Sequence, residues 1–162
     1  VARLILILLI GLVGCTSDGQ SRASFGPAEM KVSPTFSRIH DGRLEADVEL
    51  LDGFGDSVKG GGQITLTLFD AISATYDRRA VPVAGPFQID LGTEAAQQEH
   101  WRSTSRTYVF ELPAPDVRAD RPYQLRATYE LRRGTTTQPG EAPSVQRHYS
   151  TATIRPRDVA GD

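Results

Sequence analysis

Several side chains in this chain could react or ligate, and their spacing decides which could act together. Ser57, between Asp56 and Val58, could be a nucleophile if a base, itself oriented by a carboxylate, lay within hydrogen-bond reach. The available bases, His40, His100 and His148, are far apart in sequence. That dispersal also speaks against zinc, which usually takes at least one close ligand pair, so all three are read as solvated or loop-packed. Asp52, Asp56 and Asp70 could offer oxygens to calcium, but the D-x-D-x-D rhythm is missing and turn-forming aspartates are the simpler reading. Trp101 is either a ligand-binding aromatic or the plug of a core's open end, and a lone tryptophan in a small domain suits the plug. Cys15, the only cysteine, directly follows Leu12, Val13 and Gly14. No catalytic set connects these residues, so the expectation is a protein that is not an enzyme and has no metal or cofactor.

Before Cys15 the order is a positive charge at Arg3, an apolar run from Leu4 to Ile10, then small residues. These are the three regions of a secretory signal, expected to be helical over residues 1–14. As a helix, Leu4 to Val13 would reach only about 15 Å, half of a roughly 30 Å hydrocarbon core. Leu12-Val13-Gly14-Cys15 resembles the lipobox of bacterial lipoproteins. The resemblance implies diacylglycerol on the Cys15 sulfur, cleavage before Cys15, and membrane attachment through acyl chains facing the periplasm. Thr16, in place of an aspartate after the cysteine, favours the outer membrane over the inner.

Phe54-Gly55-Asp56-Ser57-Val58 looks like the nucleophile block of GDSL-type hydrolases. That family also carries an Asp-x-x-His pair near the C-terminus, whereas Val145 stands three residues before His148. A polar hairpin loop is the preferred reading, with a serine hydrolase using Ser57 as the alternative.

Arginine outnumbers lysine sixteen to two and asparagine is absent, as a GC-rich coding bias would produce. The pairs Arg78-Arg79 and Arg132-Arg133 therefore carry little weight as phosphate or lipid contacts. Removing residues 1–14 leaves 17 basic against 20 acidic residues, a formal charge of −3, and nothing marks a nucleic-acid binder. With Cys15 acylated no internal disulfide is possible, so the core must hold by packing alone.

Residues 15–27 are expected to be the lipidated cysteine and a flexible tether, about 40 Å long if extended and nearer 20 Å as a coil. Residues 28–156 form the domain and 157–162 a tail. Within the domain apolar residues recur at every second position, which requires strands with one buried face. The stretches are Glu29 to Ile39, broken at Pro34 and hence an edge, Arg43 to Leu50, Gln63 to Asp70, Pro86 to Leu91, Arg106 to Leu112, Pro122 to Leu131 and Val145 to Ile154. Asp41-Gly42 reads as a hairpin turn. The only helix expected in the domain is a short one from a Thr93 cap to Trp101.

The spacing of Asp52, Gly55 and Val58 between two strands resembles the D-x-x-G-x-x-V pattern of bacterial immunoglobulin-like and macroglobulin-like domains. Tyr123 stands where such folds place a tyrosine corner. The expected fold is all-β, a seven-stranded antiparallel immunoglobulin-like sandwich. With strands alternating up and down, the tether enters beside the loops Asp52 to Gly62, Gly92 to Ser105 and Arg132 to Ser144. The distal end gathers His40 to Gly42, Ala71 to Gly85 and Pro113 to Arg121. The function expected is a membrane-anchored envelope lipoprotein acting as a binding or assembly module that meets an envelope protein at the distal end, with a purely structural spacer as a further alternative.

Overall fold

Arg43 to Leu51 sets the pattern that the other strands repeat. Leu44, Ala46, Val48 and Leu50 project to one side and are wholly buried, because alternate residues of a strand face opposite ways. A computed structural model describes residues 26–76, 80–132 and 145–156. Residues 1–25, with the signal segment, Cys15 and most of the tether, lie outside the described residues, as do Arg78, Arg79, Arg133 and the expected tail.

Two antiparallel sheets pack face to face as a sandwich. In the first, β1 (Glu29–Val32) and β2 (Arg38–His40) lie end to end along one edge of β3 (Arg43–Leu51). Pro34 falls in the gap between them, where a missing donor costs the ladder nothing. In the second, β5 pairs with β4 (Gln63–Asp70), which pairs with β8 (Tyr123–Arg132) and through it with β9 (Val145–Ile154); β5 spans Pro82–Asp90. The first sheet is completed by β7 (Thr107–Pro113) beside β3, and by the two-residue β6 (Trp101–Arg102) on its far side. All seven expected strands are present, the first in two pieces, and the two-residue β6 beside β7 is an addition to them. Each fully buried leucine or isoleucine between the sheets contributes about 1.5–3 kcal/mol relative to exposure.

The Asp41-Gly42 turn has positive φ at both residues, 49° and 69°, as a two-residue hairpin of this hand requires. Helix α2 (Glu94–His100) lies where expected, with the Thr93 hydroxyl accepting from the Ala96 amide at 3.2 Å.

Two expectations need correction. Residues Ala71 to Tyr76 form a second helix, α1, where only a loop was expected. Asp70 starts it by accepting from the amides of Ile72 and Ser73, both at 3.0 Å, and it buries none of its own side chains. Strand β5 begins at Pro82 and not at Pro86. One extra residue in β5 between the partners of Leu66 and Leu68 forms a bulge, and pairing resumes beyond it at Ala84 and, after a second shift, at Pro82.

Candidate functional site

At the end where the chain enters, Pro27 is buried and the Ala28 amide donates to Leu51 at 2.7 Å, so the domain takes in the last residues of the expected tether. The Asp52 to Val58 segment is a self-held turn. Asp52 Oδ1 accepts from the amides of Phe54 (2.8 Å) and Asp56 (3.0 Å), and the Val58 amide returns to the Leu50 carbonyl at 2.8 Å. The Ser57 hydroxyl donates to the Glu49 carboxylate, not to a histidine.

Around this turn a polar network closes the sandwich. Gln97, on α2, donates to the carbonyls of Gly60 (2.9 Å) and Leu91 (2.7 Å) and accepts from the Tyr108 hydroxyl at 2.6 Å. Tyr129 donates to the Gly61 carbonyl. Gly60 must be glycine: a Cβ would lie 2.5 Å from Pro27 Cγ and 2.7 Å from the Tyr129 hydroxyl. Burial raises the Tyr108 phenol, against its hydrogen bonds to Gly60 and Gln97. It pushes Tyr129 up to about 12, with the Tyr108 charge adding. Trp101 stands half-buried, edge-on to Tyr108 at 5.0 Å with Lys59 Nζ 5.2 Å above its ring, which is how a core plug is seated.

The opposite end is organised by Tyr123 and Asp70. The Tyr123 hydroxyl accepts from the Arg118 amide at 2.7 Å and donates to the Arg118 carbonyl at 3.4 Å, a tyrosine corner in its geometry. The Ser73 amide above all, with help from Arg121 and the Ile72 amide, holds the Asp70 carboxyl below its usual range. Asp70 therefore lies at the other end of the sandwich from Asp52 and Asp56, and caps a helix. From that helix project Ile72 and Tyr76, one turn apart on one face and 60 % and 87 % exposed. Val81, just before β5, is 80 % exposed. Arg126 ties α1 down, donating to the Ala74 carbonyl at 3.2 Å while stacking over Phe69 at 4.3 Å.

The three histidines are apart in space as in sequence. His40 lies beside Asp41 and Glu45, His100 packs on Phe110 at 4.9 Å, and His148 faces Tyr129 across β8 and β9 at 6.1 Å. Among the described residues no group of three or more histidine, cysteine, aspartate or glutamate side chains could hold a metal.

A third feature lies on the outer face of the first sheet, an open groove of about 570 Å³ lined by Phe36, Arg38, Glu45, Asp47, Arg102 and Glu111 among others. Glu45 and Glu111 are direct cross-strand partners, a like-charge pairing offset by Arg38 on Glu45 (2.6 Å) and Arg43 beside Glu111 (3.6 Å). At its floor Asp47 is buried, its carboxyl raised by desolvation against a hydrogen bond from Thr107, with Glu49 and Glu45 adding to the rise.

Comparison with protein-family models, curated proteins and solved structures finds no match.

The sites named from sequence therefore divide. Cys15, Leu12, Val13 and Gly14 lie outside the described residues. Ser57, Asp52 and Asp56 share one turn, while Asp70 and the histidines are elsewhere. Two features escaped sequence reasoning. Ile72 and Tyr76 lacked a recognised helix to carry them, although Asp70 before Ala71 is a legitimate cap signal. Asp47 falls on the charged side of its strand, where the alternation gives no sign of burial.

Proposed function

We propose that this chain is a cell-envelope lipoprotein whose sandwich is a non-catalytic binding or assembly module. Acyl chains on Cys15 hold it in the membrane on the periplasmic side, the outer membrane in preference to the inner, and the α1 end is offered to an envelope protein. The observation that carries the docking part is the exposure of Ile72, Tyr76 and Val81 at the end opposite Ala28. A six-residue helix is too short to persist on propensity, and this one buries nothing in the domain's own core. Large apolar side chains gathered at one end of a domain are characteristic of a contact surface. The motivation for the anchor is the order of charge, apolar run, small residues and cysteine in residues 3–15.

The two parts are tested separately. A metabolically incorporated labelled fatty acid is expected to mark the wild-type chain and to be lost from Cys15→Ala; equal labelling contradicts the anchor. Affinity recovery from solubilised envelopes is expected to yield a defined protein with wild type and not with Ile72→Glu/Tyr76→Ala. Undiminished recovery with that variant contradicts docking through α1.

A further inference from the structure

The outer faces of the two sheets differ in kind. That of the first is charged, as at Lys31, Arg38, Glu45 and Glu111. Across the middle of the second, the registers set Gln88 opposite Thr65, Thr65 opposite Thr128 and Thr128 opposite Tyr149, one residue from each of β5, β4, β8 and β9. Residues directly opposite share a face, and the neighbours Ile64, Leu66, Ala127 and Tyr129 are buried, so this row points outward. Tyr149 is 70 % exposed. Among the described residues no hydrogen bond ties down any of the four side chains.

The charges flanking this row are already held. On one side Arg147 donates to Glu130 at 2.7 Å. On the other Arg126 donates to Gln124 at 2.7 Å and to the Ala74 carbonyl while stacking over Phe69. The row itself carries no charge to meet an ionic ligand. A protein partner would want an apolar centre, and one ring with two threonine methyls does not make one. Hydroxyls, an amide and an exposed ring suit a neutral sugar chain, whose rings offer C–H faces to an aromatic and hydroxyl edges to donors and acceptors. The spacing matches as well. Neighbouring strands lie about 4.8 Å apart, close to the advance per ring of an extended β-linked sugar chain, so each strand in the row can meet one ring.

We propose that the outer face of the second sheet binds a neutral, extended β-linked sugar chain laid across its strands. Tyr149 stacks on one ring, and Thr128, Thr65 and Gln88 bond the hydroxyls of the next three. Neither Ile72 nor Tyr76 belongs to the row, so the site does not depend on docking through α1. Because no ion pair forms, affinity should not change with ionic strength. The chain could carry plain hydroxyls or acetamido groups on its rings, since both share the C–H faces and the repeat.

The full isotopically labelled chain in micelles is titrated with cellohexaose, chitohexaose, cellobiose and maltohexaose, the last α-linked and curved. Saturable shifts of the Thr65, Thr128 and Tyr149 amides are expected with cellohexaose or chitohexaose, about tenfold or more tighter than with cellobiose or maltohexaose, and equal at low and high salt. Tighter binding of cellohexaose identifies a chain with plain hydroxyls, and tighter binding of chitohexaose one with acetamido groups. Tyr149→Ala, at an exposed position, should weaken the response by about tenfold. Thr128→Val keeps the shape, removes the hydroxyl and should weaken it by about threefold. Unfolding curves of both variants should match wild type. No saturable response to either hexamer, equal affinity for cellobiose or maltohexaose, or affinity unchanged in both variants overturns the site. So does binding that is lost at high salt, or that shifts only amides outside the second sheet.

Discussion

Tyr123 bonds with its hydroxyl to both backbone groups of Arg118, fixing the turn that leads into β8. Tyr123→Phe keeps the buried ring and deletes only those bonds, so it should cost roughly 1–2 kcal/mol in urea unfolding with an unchanged denaturant slope. Tyr129 gives a pH signature. Its phenol is held neutral up to about 12 in the folded chain, whereas an unfolded tyrosine ionises near 10. The corresponding stability is complete below about pH 10 and is lost as the pH rises from there towards about 12, because the unfolded chain releases its proton first. Unfolding midpoints compared at neutral pH and at about pH 11 should fall in wild type, and fall less in Tyr129→Phe. An equal decline in both would contradict the burial of that phenol.

Among the elements, α1 is the one the fold needs least. Ile72 and Tyr76 are both exposed, so Ile72→Glu and Tyr76→Ala should alter stability by no more than about 0.5 kcal/mol, measured by the same unfolding curves. A larger loss would mean that α1 braces the sandwich. Its near-invisibility in the sequence has the same cause: an element with no buried face imposes no apolar period, so only the Asp70 cap announces it. The strands were legible because each must bury alternate residues, as Leu44, Ala46, Val48 and Leu50 do. The start of β5 was not, since the bulge before Phe87 breaks that alternation and pairing resumes at Ala84 and Pro82. The burial of Asp47 was not legible for a tertiary reason: Ser37 and Thr107, ten and sixty residues away, pack on a residue whose register points outward.

At the scale of the molecule, the antiparallel pairings put Ala28 and the Asp52 to Gly62 and Gly92 to Ser105 loops at one end, and α1, the Asp41-Gly42 turn and the Tyr123 corner at the other. The up-and-down strand count foresaw that division. An anchor at Cys15 would then bring the first end towards the bilayer and leave Ile72 and Tyr76 facing away from it. The most direct test places a photo-cross-linking residue at Tyr76 or at Phe54 in the lipidated chain in intact cells. The account predicts a discrete protein adduct from position 76 and adducts with lipid from position 54. Protein adducts from position 54 with none from position 76 would contradict it.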